Sequence, residues 1–201
     1  MLSNKNIILV LPIILLIFSC SSGSNPTIYQ NQKDSIFPLS VGNKWEYLKI
    51  HYNGYDKPLD SSLVVSEITS RVELNKENWF EFDNSILATS RNNGIWFKET
   101  QPAYETEAKL IYKFPTYLGD SYSHYEVVSV NKIIKIGNRY FSTIVYRRHF
   151  EKDGQIDNES IYDEDYLCRG IGLVKSIAVR VNEFGELYVF RNMILLNYNI
   201  N

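Results

Sequence analysis

From Ile36 onward the chain is cut into short runs rich in Val, Ile, Tyr, Phe and Trp, separated by Gly, Asn, Asp and Pro. This punctuation constrains the fold more than any other feature, because β-branched and aromatic runs between turn residues read as strands. The runs are Trp45–Tyr52, Leu63–Leu74, Trp79–Leu87, Gly94–Glu99, Leu110–Phe114, Tyr122–Val130, Tyr140–Phe150, Ile161–Leu167, Ile171–Val181 and Leu187–Tyr198. Asn53-Gly54, Asn92-Asn93-Gly94, Gly137-Asn138, Asp153-Gly154 and Phe184-Gly185-Glu186 supply turn chemistry between them. No stretch sustains a helical period with caps. The expectation is an all-β domain over residues 36–201, a single antiparallel meander of about ten strands. A sheet that long must curl, giving a curved sheet, a half-barrel or a barrel. Within Ile161–Leu167 the run Asp163-Glu164-Asp165 reads as a solvated or edge segment. In Ile171–Val181 and Leu187–Leu196 apolar residues occupy both parities, so both sheet faces are expected to be partly covered.

The N-terminus is built differently. Lys5 is the only charge before Lys33, and it precedes the apolar run Ile7–Phe18. Twelve residues span about 18 Å as helix. That is too short to cross a bilayer, Pro12 interrupts it, and it fits the core of a signal peptide over residues 1–19. The run ends in Ile17-Phe18-Ser19-Cys20, which resembles the lipobox of bacterial lipoproteins. The resemblance implies cleavage between Ser19 and Cys20, a diacylglyceryl thioether on the Cys20 sulfur, and an acyl chain such as palmitate on its amine. Several acyl chains on one residue anchor firmly, since each buried CH2 contributes about 0.8 kcal/mol. Residues 20–35 then read as a lipidated flexible tether, polar and with Gly and Pro, reaching about 20 Å as coil. Ser21, where an aspartate would favour inner-membrane retention, points to the outer membrane. The absence of an acidic run after it points to the periplasmic face. An acylated Cys20 leaves Cys168 without a disulfide partner, and Cys168 reads as a small buried hydrophobe.

One motif occurs twice. Phe37-Pro38-Leu39-Ser40-Val41-Gly42-Asn43-Lys44-Trp45 is echoed by Phe114-Pro115-Thr116-Tyr117-Leu118-Gly119-Asp120-Ser121-Tyr122. The pattern reads as an extended entry, a Gly turn and an aromatic that opens a strand: a repeated corner that marks two similar halves of the sheet. Gly42 is expected at positive φ and Trp45 in the core. The opening FPLSVGNKWEY, the segment KLIYKFPTYLGDSY and the late CRGIGLVKS, with Gly170 and Gly172, resemble a broad group of uncharacterised bacterial envelope lipoproteins. The likeness spans about residues 37 to 180. Cys168-Arg169 stands where that group often has Ala-Pro. It implies an all-β domain, a curved sheet of the kind seen in lipoprotein carriers, and no known activity.

Composition narrows the function. Of 201 residues, 44% are hydrophobic and 22% charged, which is globular. A net charge of -2 and a pI near 6.0 leave no basic footprint for nucleic acid. His51, His124 and His149 lack metal-ligand spacing, and the acidic stretch Asp153–Asp165, with Asp157 and Glu159, lacks the calcium-loop pattern and reads as a solvated face. Gly170-Ile171-Gly172 has two glycines of a dinucleotide fingerprint, but Lys175 stands where the third belongs. No catalytic residues, metal or cofactor are assigned. Fifteen Tyr, ten Phe and three Trp read mainly as β core, with Tyr104, Tyr117 and Tyr125 as candidate exposed contacts. The leading expectation is a non-enzymatic, membrane-anchored envelope lipoprotein with a binding or structural β domain. Its partners would be the membrane, through the N-terminal lipid, and an apolar ligand, a glycan or an envelope protein. A periplasmic carrier of an apolar ligand is the alternative, followed by a glycan-active hydrolase.

Overall fold

The computed structural model describes residues 28–29, 35–101, 104–105, 107–152 and 155–201. The strand-forming runs become β1 (Ile28–Tyr29), β2 (Lys44–Tyr52), β3 (Pro58–Leu74), β4 (Glu77–Phe82), β5 (Ile86–Arg91), β6 (Gly94–Gln101) and β7 (Tyr104–Glu105). They continue as β8 (Lys109–Lys113), β9 (Ser121–Tyr122), β10 (Tyr125–Ile136), β11 (Arg139–Lys152), β12 (Gln155–Cys168), β13 (Gly172–Val181) and β14 (Leu187–Asn199). The run Trp79–Leu87 is two strands, because Asp83–Ser85 turns the chain with Ser85 at φ 62°. Between β3 and β4, Asn75 and Lys76 both take positive φ, 52° and 66°, a tight hairpin geometry reached without glycine. The signal peptide, the lipobox and most of the tether lie outside the described residues. Within the tether segment, Ile28–Tyr29 pairs in parallel with Tyr140–Phe141 of β11.

All strands join one curved sheet. Twelve follow each other in the order β7-β6-β5-β4-β3-β2-β14-β13-β12-β11-β10-β9, with β8 against β6 and β1 against β11. Apart from β1 the pairing is antiparallel. Two meanders are thus joined where the last strand, β14, returns to the first long one, β2. Among the described residues no ladder joins β9 to β7 or β8, so the sheet curls without closing into a barrel.

The open seam is held by tyrosine hydroxyls rather than by a backbone ladder. Tyr122 Oη accepts from the Lys113 backbone N–H at 3.0 Å and donates to the Ile111 carbonyl at 2.8 Å. Tyr146 Oη donates to the Lys113 carbonyl at 2.8 Å, and Tyr112 Oη to Asp165 Oδ2 at 2.9 Å. These bonds satisfy part of the β8 backbone that an unpaired edge would expose. Tyr122→Phe orphans the Lys113 N–H and the Ile111 carbonyl, and is expected to cost about 1–3 kcal/mol in denaturant unfolding. Unchanged stability would show that the seam does not rest on this hydroxyl.

The interior of the curl holds Trp45, Tyr146, Ile68, Ile95, Leu167 and Leu195, all fully buried. Aromatic edges meet there: Phe37 lies 6.4 Å from Phe97 at 88°, and Phe97 lies 6.1 Å from Tyr112 at 82°. Such edge-to-face pairs add to the burial of the rings.

Candidate functional site

The residues singled out by sequence build the corner of the fold. In Ser40–Asn43 the Asn43 N–H donates to the Ser40 carbonyl at 3.1 Å, with Gly42 at φ 87° in the third position. Tyr117–Asp120 repeats this with a 3.2 Å bond and Gly119 at φ 82°. Both have the signature of a type II turn, which needs positive φ at that position. Each turn clasps a buried residue of a later long strand, Ile68 in β3 and Val127 in β10. Gly42 N donates to Ile68 O and Ile68 N to Asn43 O; Gly119 N donates to Val127 O and Val127 N to Asp120 O, all at 2.8–2.9 Å. The sequence echo is therefore one structural device used twice.

The late glycine segment packs on the first copy. Gly170, at φ 70°, donates its N–H to the Ser35 carbonyl at 2.8 Å. Trp45 Nε1 donates to the Ile171 carbonyl at 2.6 Å. A Cβ on Gly172 would stand 3.1 Å from the Phe37 ring. Gly42, Trp45, Gly119, Gly170 and Gly172 are thus architectural. Ser19 and Cys20 lie outside the described residues.

The candidate surface that local sequence does not reveal is the inner face of the sheet. Directly paired residues of an antiparallel ladder point to the same face. One row crosses six strands as Arg148, Asp163, Ala178, Arg191, His51 and Asp60. The next row inward is Tyr146, Asp165, Ser176, Met193, Lys49 and Ser62. Deeper still lie Leu195, Tyr47 and Val64. Polarity therefore falls in steps along the strands, from charged rim to apolar interior. At the apolar end a cleft of about 280 Å3 opens between the two halves, lined by Phe37, Tyr47, Phe97, Tyr112, Leu173 and Met193 among others.

The rim corrects the reading of Asp163-Glu164-Asp165 as solvated. β12 is an interior strand, and Asp163 and Glu164 are both buried. Asp163 accepts from Arg148 at 2.7 Å and Arg180 at 3.0 Å, and Arg191 lies 3.8 Å away. On the opposite face Glu164 accepts from Arg147 Nη2 at 2.6 Å and Tyr166 Oη at 2.7 Å. Buried carboxylates persist because cross-strand partners hold them. Phe150 lies under two of the guanidiniums, 4.8 Å from Arg148 and 4.9 Å from Arg180.

Asp165 differs from its neighbours. It is bonded to Tyr112 and to Ser176, and its burial raises its pKa above the ordinary carboxylate range. A raised folded-state pKa gives stability that is full below the unfolded pKa and lost as pH rises through the folded one. Ionised Asp165 is therefore a burden at neutral pH. Asp165→Asn, which keeps an acceptor for Tyr112, is expected to match or exceed wild-type stability at pH 7 and to lose that advantage below pH 4. Denaturant midpoints against pH read this directly. A variant less stable at pH 7 than at pH 4, relative to wild type, would contradict it.

The remaining candidates are dispersed. Tyr117 is exposed, whereas Tyr125, expected as an exposed contact, is buried and stacks on Tyr122 at 5.6 Å and 13°. Its strand alternation turns it inward beside Val127. Tyr104 lies in β7, and its side chain is outside the described residues. Pairing of β10 with β11 brings His124 and His149 to one cleft with Glu126, while His51 lies on the inner rim, 2.9 Å from Asp60. Among the described residues no three His, Cys, Asp or Glu side chains converge as a metal site. Cys168 is fully buried, and desolvation pushes its thiol up to about 12. It is therefore an inert thiol.

No protein-family model matches the chain, and no curated protein matches it. Among solved structures, a Bacteroides fragilis protein described as exported, with a YmcC-like fold, aligns with TM-score 0.50 at 12% identity. The alignment covers 81% of this chain and 98% of that one. A Parabacteroides distasonis chain described as a lipoprotein aligns with TM-score 0.45 at 10% identity, over 84% and 100% of the two chains. The first likeness shows a shared fold.

Proposed function

We propose that this chain is an envelope lipoprotein, anchored through acylated Cys20, whose curved β domain is a non-enzymatic binding module at the outer membrane, facing the periplasm. The observation that carries the reading is Ile17-Phe18-Ser19-Cys20 at the end of a short apolar run with a single preceding cation. The description of the B. fragilis protein as exported agrees with it. Binding rather than catalysis is favoured by the inner face. Its buried carboxyls are committed to guanidinium and hydroxyl partners, and its apolar cleft is of a size for part of a ligand. The same cleft favours an apolar-ligand carrier as the more specific reading over a purely structural accessory.

Metabolic labelling with an alkyne fatty acid tests the anchor. The wild-type chain is expected to carry label and to sediment with membranes, and Cys20→Ala is expected to lose the label and leave the membrane fraction. Equal labelling of Cys20→Ala would overturn the proposal.

A further inference from the structure

Two cations on the inner face lie beside the apolar cleft and make no hydrogen bond to the fold among the described residues. Lys49 is the direct cross-strand partner of Met193, a cleft-lining residue, and it makes no hydrogen bond or ion pair among the described residues. Arg191 lies two residues before Met193 on the same face, about 7 Å away along the strand. Its side chain is about one-third exposed; among the described residues its guanidinium makes no hydrogen bond, and its one ion pair is the 3.8 Å approach to Asp163. Exposed guanidinium and ammonium donors that the fold leaves unused are open to an outside anionic acceptor.

The surroundings favour an anion there. Around the cleft mouth, Lys49, Arg148, Arg180 and Arg191 face Asp163, Asp165 and Asp60. Asp163 is already bonded to Arg148 and Arg180, and Asp60 to His51. Asp165 is turned inward to Tyr112. The charge left over at the mouth is positive and sits on Lys49 and Arg191. Ala178, paired with both Asp163 and Arg191, contributes only a methyl group between them.

We propose that the inner face binds an anionic amphiphile, its alkyl chain in the cleft lined by Tyr47, Phe97, Tyr112 and Met193 and its anionic head group on Arg191 and Lys49. This rests on the binding reading above and specifies its ligand class. An apolar groove supplies affinity, and two placed cations fix the orientation of the head. A neutral chain of equal length leaves both cations unpaired. The head is a carboxylate or a phosphate, so the ligand source is a free fatty acid or an acidic phospholipid.

Photo-crosslinking on the full lipidated chain in phosphatidylcholine nanodiscs tests this. The probes are a diazirine-bearing dodecanoate, a diazirine-bearing phosphatidic acid and the matching diazirine dodecanol, with adducts mapped by peptide mass spectrometry. At least one acidic probe is expected to label the peptides containing Tyr47 and Met193 about tenfold more than the alcohol does, the scale of one charge-assisted bond. Which acid is captured identifies the source. The Lys49→Gln/Arg191→Gln variant removes no hydrogen bond among the described residues, only the 3.8 Å ion pair of Arg191 with Asp163, and is expected to lose that preference. Met193→Trp, which fills the cleft, is expected to abolish labelling by all probes, with circular dichroism confirming that both variants fold. Equal labelling by acid and alcohol, or an undiminished acid preference in the double variant, would overturn the proposal. Acylation of Cys20 is read from the N-terminal peptide of the same sample, so failure of the anchor and failure of the cleft appear separately.

Discussion

Trp45→Ala is expected to destabilise the domain by about 3–5 kcal/mol, as for other large-to-small changes at a fully buried aromatic. The indole is completely enclosed. It lies 5.1 Å from Phe37 and stacks on Phe82 at 6.2 Å, so truncation opens a cavity between the corner and both sheet halves. It also orphans the Ile171 carbonyl, which receives the Nε1 hydrogen at 2.6 Å. Trp45→Phe separates the two effects. It keeps most of the packing and loses the hydrogen bond, so it is expected to cost about 1–3 kcal/mol. In a domain of this size each kcal/mol moves the midpoint by roughly 2–4 °C, so Trp45→Ala is expected to lower Tm by roughly 10 °C. An unchanged melting curve would show that the corner is not the keystone of the core.

Gly94→Ala is the second large effect. Gly94 takes φ 135°, and an added Cβ would stand 2.0 Å from the Tyr112 carbonyl and 2.9 Å from Lys113 Cα. Both obstacles are backbone of β8, so no side-chain rotation relieves them. The substitution must push β8 off β6, and with it the Tyr112–Asp165 bond and the Tyr146 bond to Lys113. Strained φ and overpacking together are expected to cost about 3 kcal/mol or more. Hydrogen exchange should localise the damage: amides of Gly94–Phe97 and Lys109–Lys113 exchange faster, while β12 and β13 keep their protection. Wild-type exchange in β8 would contradict this account of the seam.

Much of the sheet was legible in the sequence because its turns are spelled with Gly and Asn. Asn53-Gly54, Asn93-Gly94, Gly137-Asn138 and Gly185 all lie where a hairpin reverses. Asn75-Lys76 was not legible, because lysine rarely takes the positive φ it adopts there. The repeated F-P-x-x-[VL]-G-[ND] corner was visible as sequence, and its purpose, clasping Ile68 and Val127, needed the strand beside it. The return of β14 to β2 left no local trace, since pairing between distant strands is set by the whole hydrophobic pattern rather than by any turn. Asp163-Glu164-Asp165 was misread for the same reason. A run of acids looks solvated until the register places Arg148, Arg147 and Ser176 directly across from them. The inner-face rows that make the candidate site are properties of register, and register is what local composition does not carry.

Intact mass spectrometry of the full chain, purified from its native membrane, reads the lipid anchor itself. The expected mass is that of a mature protein that begins at Cys20 and carries a diacylglyceryl group, with the Ile7–Phe18 segment absent. A protein that retains residues 1–19, or one that begins at Cys20 with an unmodified thiol, would contradict it.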